Sequence, residues 1–345
     1  MWDSLRRIAL GLCLIGLSAG ILLLSDWNRR IQTNETLVPS HQQPEKPWKL
    51  NLLHYVDAPA FDEAREGVMK GLKESGLIEG QDFTMVVRNG QGDMATANSM
   101  VDLATTSDLD LLMTLSTPML QAAMNRAGDL PIVFSLVANP LLAGAGTSNE
   151  QHRPNLTGIY TTSDFEGMMQ LLPAIMPKAR RIGTLFVPSE VNSVFYKDSL
   201  TEAALRVNVE VIAVGVSSTV EVLDGALALT SKQLDAICQI SDNLTSAAFV
   251  SILRAAEQAH LPLFGFQSSQ LRDGAVAVIA RDFEDAGREA AFLAVRVLQG
   301  ESPASIPFQP ILRSRLMINL PIARAFNLTI PASLLQRADV LVGER

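Results

Sequence analysis

Several residues and patterns that mark particular functions are scarce or absent in this chain. Cysteine occurs twice in 345 residues, as Cys13 and Cys238. Cys13 lies in an N-terminal apolar run and Cys238 in an apolar strand pattern, so no disulfide is expected. A catalytic thiol needs a nearby base and solvent access, and Cys238 reads instead as a buried strand residue. The four histidines, His41, His54, His152 and His260, show no metal-ligand spacing, so no metal site is expected. There is no Gly-x-Ser-x-Gly elbow for a hydrolase. Charged residues make up only 19%, the net charge is -8, and no basic stripe exists to compete for phosphate, which argues against nucleic-acid binding. Gly90-Gln91-Gly92-Asp93-Met94-Ala95 loosely fits a dinucleotide fingerprint. It follows the second strand pattern and not the first, so it reads as a tight turn into a helix, and no cofactor is expected.

What the chain has in quantity is apolar residues, 48%, with only 6% aromatic. That is the profile of a folded α/β protein with room for two medium domains. An uncharged, strongly apolar run, IALGLCLIGLSAGILLL at 8–24, follows Arg6 and Arg7. Seventeen residues is the lower limit for a membrane-spanning helix and the upper range of a signal core. Leu22-Leu23-Leu24-Ser25-Asp26-Trp27 is a poor cleavage site, and Leu12 before Cys13 is unsuited to lipoprotein processing. An uncleaved signal anchor at 1–27 is therefore favoured over a removed signal peptide. NRRIQTNETLVPSHQQPEKP, to Pro47, has no apolar period and reads as a flexible tether at 28–47.

From Trp48 onward strand and helix patterns alternate. KLNLLHYV, FTMVVRN, LDLLMTL, PIVFSLV and LTGIY are strands, separated by helical spacings such as Phe61, Ala64, Val68 and Leu72. The alternation then starts again with helix 165–175, RIGTLFV, helix 193–207, VEVIAVGV, helix 220–229, LDAICQI, helix 246–259 and PLFGF. LDLLMTLSTP at 109–118 resembles LDAICQISDN at 234–243, so two similar halves with parallel sheets and right-handed crossovers are predicted. GAVAVIA, a helix at 283–299 and SRLMINLPIARAFNL form a late return that lets the chain pass between the halves again.

In open parallel sheets ligands bind beyond the carboxyl ends of the strands. Those ends are polar here: Asp57 after the first, Ser116-Thr117, Ser135 to Asn139, Ser189-Glu190 with Asn192-Ser193, and Asp242-Asn243. Ser116 and Thr117 open a helix at Pro118, whose free N–H groups suit a carboxylate. Glu190 and Asp242 can hold an ammonium group. Together they suit a ligand carrying both charges, such as an amino acid. Each residue taken singly also fits an ordinary N-cap; five such ends on one edge ask for more than capping.

The segments IVFSLVANPLLAGAG, NLTGIY, FVPSEVNS, SDN at 241–243 and LRDGAVAVIARDFEDAGREAAFLAVRVLQGESPASIPF resemble the substrate-binding proteins of ABC transporters, in the branch with tryptophan- and phenylalanine-type binders. The resemblance spans about 50–331. It implies a type I periplasmic-binding fold, two doubly wound Rossmann-like lobes with three hinge crossovers that close on a ligand. Lobe one would take 48–160 plus 281–315, and lobe two 161–280 plus 316–345. It also implies Ser116-Thr117 as the carboxylate pair, and Glu190 to Asn192 with Asp242-Asn243 as lobe-two contacts. Where the family often has Thr-Asp-Pro, this chain has Ala138-Asn139-Pro140. The implied partners are a small amino-acid-like ligand, an ABC permease and, through the N-terminal run, the membrane, at a periplasmic or extracytoplasmic location. The alternative is a ligand-sensing receptor subunit of the same fold that signals through a separate membrane protein. No enzyme activity is expected, because no nucleophile–base set is visible.

Overall fold

The computed structural model describes residues 46–343. The expected anchor and nearly all of the tether lie outside these residues. Among the described residues no helix is long and apolar enough to cross a membrane.

In chain order the first elements are β1 (Trp48–His54), α1 (Pro59–Glu74), β2 (Phe83–Asn89), α2 (Met94–Thr105), β3 (Leu111–Leu115), α3 (Thr117–Arg126), β4 (Ile132–Val137) and β5 (Leu156–Tyr160). The middle of the chain gives α4 (Phe165–Ile175), β6 (Arg181–Phe186), α5 (Val191–Leu205), β7 (Glu210–Gly215), α6 (Val222–Thr230) and β8 (Ala236–Gln239). There follow α7 (Asn243–Ala247), α8 (Phe249–Gln258), β9 (Leu263–Gly265), α9 (Ser268–Asp273) and β10 (Ala277–Arg281). The last stretch holds α10 (Phe283–Leu298), β11 (Gln309–Pro310), β12 (Ser314–Asn319), α11 (Leu320–Ala325), α12 (Ala332–Arg337) and β13 (Val340–Val342).

These strands build two sheets, ordered β11-β5-β4-β3-β1-β2 and β13-β12-β10-β9-β8-β6-β7. The pairings are parallel apart from β10 with β12, which is antiparallel. Parallel strands are buried on both faces and read as continuous apolar runs. LLMTL of β3 is buried at every position. In the second sheet, Ala236 and Cys238 point into one apolar cluster and Ile237 into another, so both faces are covered. Burial raises the Cys238 thiol far above its ordinary value, which leaves it inert.

The two halves repeat one plan. The strand order runs β2-β1-β3 in one sheet and β7-β6-β8 in the other. LDLLMTLSTP and LDAICQISDN therefore occupy equivalent places, each beside the first strand, where the order reverses. At this point the second sheet parts early. β6 and β8 pair only through Ile182–Ala236 and Gly183–Ile237. Beyond them the Gln239 side chain takes over: its Oε1 accepts from Leu185 N at 3.0 Å and its Nε2 donates to Leu185 O at 3.0 Å. One amide side chain thus satisfies backbone groups that a partner strand would otherwise meet, and the strand ends are free to diverge into a crevice.

The chain passes between the sheets three times, at 160–165, 281–283 and 310–314. Arg281 ties the three crossings together. Its Nε donates to Thr162 O at 2.7 Å, and Nη1 donates to Ser314 Oγ at 2.7 Å and to Leu312 O. The returning helix α10 locks into lobe one against α1 through two glycines. A Cβ on Gly67 would overlap Glu284 O, and one on Gly287 would overlap Ala64 O.

Some expectations need correction. The helix expected at 246–259 is two helices that break at Ala248, because Asp242 caps a first short turn. The third crossing ends earlier than expected: Ser314 and Arg315 already belong to β12, in the second sheet. The short elements α9, α12, β11 and β13 carry too few residues for a legible period.

Candidate functional site

The C-terminal ends of β6 and β8 lie side by side, and their turns interlock. Ser193, in the first turn of α5, has its Oγ accept from Val187 N at 2.8 Å and donate to Asp242 Oδ2 at 2.7 Å. The other Asp242 oxygen, Oδ1, accepts from Thr245 N at 2.8 Å and from Thr245 Oγ1 at 2.5 Å. Asp242 is therefore the buried N-cap of α7 and the brace between the two turns. Burial pushes its carboxyl up, and the bonds from Thr245 and Ser193 hold it back.

Above this brace sits Glu190. Its Oε2 accepts from Asn243 Nδ2 at 2.8 Å and from Asn192 Nδ2 at 3.2 Å. Among the described residues no lysine, arginine or histidine pairs with it. Burial, and then the charge of Asp242, push the Glu190 carboxyl up to about 7. The Asn192 amide oxygen and the Ser241 hydroxyl are buried nearby in sequence and have no hydrogen-bond partner. On lobe one, Tyr55 is pushed up to about 12 by burial and then by the Glu190 charge, while its hydroxyl donates to Gly92 O at 2.8 Å. The Gly90–Gly92 turn is thereby tied to the end of β1, as Gly90 N and Gly92 N also donate to His54 O and Tyr55 O. It is a strand-to-helix turn capped by Asp93.

Lobe one contributes strained strand ends. Ser116 has φ 97° and ψ 157°, and Leu136 has φ 55°, conformations that side chains other than glycine's seldom adopt. Ser116 Oγ accepts from Met119 N at 3.4 Å and Thr117 Oγ1 from Ala138 N at 3.3 Å, and each hydroxyl keeps its proton to donate. Both residues are buried. The Ser135 hydroxyl donates to Ala286 O at 3.2 Å, which fastens β4 to α10. Asn139 Oδ1 accepts from Leu141 N and Leu142 N, capping the loop that follows. Asp57 and Ser189 are exposed at the surface.

Between the lobes lies a cavity of about 30 Å³. Lobe two lines it with Tyr196, Ser241, Asp242, Asn243, Ser246 and Gln267. Lobe one lines it with Ala58, Ala60, Phe61, Leu136 and Phe283, and the first crossing adds Thr161. One wall is thus polar and the facing wall apolar and aromatic. The Tyr196 hydroxyl donates to Thr161 O at 2.9 Å, which links the wall to the hinge. Such a volume holds roughly two or three waters.

Of the residues expected from sequence, Glu190, Asn192, Ser193, Asp242 and Asn243 come together. Ser116 and Thr117 lie buried in lobe one. Ser135, Asn139, Ser189 and Asp57 are engaged elsewhere or exposed. Sequence reasoning missed Phe61, Phe283 and Gln267. The two phenylalanines sit in the first turns of helices at core spacing, where nothing distinguishes a cleft wall from a core. Gln267 follows the PLFGF strand, so the strand-end rule that found Asp242 could have found it too.

Comparison with known proteins agrees with this architecture. Residues 49–342 match the family model for ABC transporter substrate binding proteins. A tyrosine-binding protein of Clostridioides difficile is 28% identical over 309 residues, covering 90% of this chain and 89% of that protein. A crystal structure of the ABC domain in complex with L-Trp from Streptococcus pneumonia is 25% identical, with a TM-score of 0.83, covering 86% of this chain and all (100%) of that one. The ligand-free, open structure of a substrate binding protein with adhesive properties from Clostridium difficile is 27% identical over the same shares, with a TM-score of 0.65. Two parallel-sheet lobes, three crossings and a match that spans nearly all of the described residues lead to one conclusion: the chain belongs to the ABC transporter substrate binding protein family.

Proposed function

We propose that the chain is the extracytoplasmic solute-binding component of an ABC importer and takes an amino acid, aromatic ones included, between its lobes. The carrying observation is Glu190. It is a part-buried carboxylate held by two amide donors, one of them the cavity-lining Asn243, with no protein cation paired to it among the described residues; it does not line the small cavity itself, and on this reading it meets the ligand's cation when the lobes part to admit one. Asn243 supports it from below. Ser116 and Thr117, at the strained start of α3, are the carboxylate side on this reading, and Asn192 orients Glu190. Phe61 and Phe283 offer an apolar wall to a side chain. The tyrosine-binding relative and the L-Trp complex favour the same ligand class. The chain superposes better on the L-Trp complex than on the open form, at similar identity, which favours a closed arrangement of the lobes. A membrane permease is the proposed partner, and the 8–24 run the proposed membrane anchor.

The test is calorimetric titration of the purified protein with a panel of amino acids. Submicromolar binding with a negative heat-capacity change is expected, the mark of apolar burial on closure. Silence across the panel from folded protein would refute the amino-acid assignment.

A further inference from the structure

We infer that Glu63, which reaches from lobe one to Ser268 and Arg272 of lobe two, is a latch that holds the cleft shut over its ligand without touching that ligand. The inference rests on the reading of a ligand-closed cleft.

Glu63 lies on α1, two residues past Phe61, a wall of the cavity. Ser268 begins α9 and directly follows Gln267, which lines the opposite wall. The walls that a ligand would bring together therefore carry the latch just outside the cavity. Ser268 Oγ donates to Glu63 Oε1 at 2.6 Å, and Arg272 Nη2 lies 3.8 Å from the same oxygen. A further pair, Arg315 with Asp282 at 2.9 Å, lies beside it within the second crossing, where β10 and β12 are neighbours. The ionic contact that spans the lobes at this edge is therefore Glu63 with Arg272. Glu63 is absent from the cavity lining, and its side chain is 27% exposed.

The energetic consequence follows from where these bonds exist. When the lobes part, Glu63 and Ser268 return to water and lose each other. A contact present in one of two states shifts the equilibrium by its full differential free energy. Here it favours the closed state. Closed-state contacts act on escape, because encounter happens with the lobes apart, so the latch belongs in the dissociation rate. The Arg272 contribution is partly screened, since its side chain is 63% exposed. The short bond from Ser268 carries most of the effect.

Two measurements on full-length protein test this. In stopped-flow displacement of L-tyrosine or L-tryptophan, Glu63→Ala is expected to raise the dissociation rate about fivefold, with association unchanged within about twofold. Ser268→Ala should move the same way, and Glu63→Gln, which keeps an acceptor for Ser268 Oγ, should stay near wild type. Small-angle scattering needs no ligand: ligand-free Glu63→Ala should have a larger radius of gyration than wild type. A rise in either the dissociation rate or the ligand-free radius, with association unchanged or faster, supports the latch. No change in both, or slower association as the only change, overturns it. A wild type that binds neither amino acid refutes the proposed ligand class and leaves the scattering comparison to judge the latch.

Discussion

Lowering the pH from 7.5 to 6 should weaken ligand binding about eightfold through Glu190. The reasoning starts from a carboxyl whose burial and proximity to Asp242 push it up to about 7. Only its ionised form attracts an ammonium group. With that midpoint, the ionised fraction is about 0.76 at pH 7.5 and about 0.09 at pH 6. Apparent affinity scales with the competent fraction, so the ratio is about eightfold, or roughly 1.2 kcal/mol. The ligand's own charges hardly change over this window, which isolates the protein group. The assay is calorimetric titration at several pH values, repeated in buffers of different ionisation heat. Binding near pH 7 should release a fraction of a proton, because the ammonium draws Glu190 into its ionised form. Glu190→Gln should bind about ten- to a hundredfold more weakly at pH 7.5, the cost of losing a charge-assisted bond, and its affinity should be flat between pH 6 and 7.5. A flat profile in wild type, or a Gln variant that binds as tightly and keeps the same slope, would refute the assignment of Glu190 as the ammonium partner.

Other outcomes follow from the same geometry. Stability of the ligand-free protein should run the opposite way to affinity. Glu190, Glu63 and Asp242 are all raised in the fold by burial; a raised acid adds stability that is full below its unfolded value and lost as pH rises through its folded one. Melting of ligand-free protein should therefore occur at a higher temperature at pH 5.5 than at 7.5, judged by calorimetry against a Glu190→Gln control with a smaller difference. Asp242→Ala should cost about 2–4 kcal/mol in urea unfolding, since Ser193 Oγ and Thr245 N lose a buried acceptor. Gly287→Ala should cost at least about 2 kcal/mol by the same method, because its Cβ would press on Ala64 O between α1 and α10.

Much of the fold could be read from the sequence. The strands of lobe one are apolar runs bounded by polar turns, and the repeat of LDLLMTLSTP in LDAICQISDN carries the two-half plan. Helices with a clean period, α2 at Met94–Thr105 and α4 at Phe165–Ile175, have the expected ends. The break at Ala248 was hidden because α7 is a single short turn that buries Asn243, Thr245 and Ser246 beside Leu244 and so carries no apolar period of its own. The polar strand ends of lobe two were legible as a cluster, since in a parallel sheet every such end lies on the same edge.

What the sequence determined by itself is local and periodic: which residues form strands, which faces are apolar, and which polar groups end up at the carboxyl edge. Those follow from backbone sterics and hydrophobic spacing, which act over a few residues. What only the tertiary structure decided is which edge groups are already spent. Asp242 is consumed as a brace and Ser135 as a fastener to α10, while Glu190, among the described residues, has no protein cation paired to it. The same holds for Phe61, Gln267 and Glu63, whose roles depend on a partner about 200 residues away brought close by three crossings. Sequence spacing carries no record of such pairs, because contact across a cleft is set by how two lobes meet.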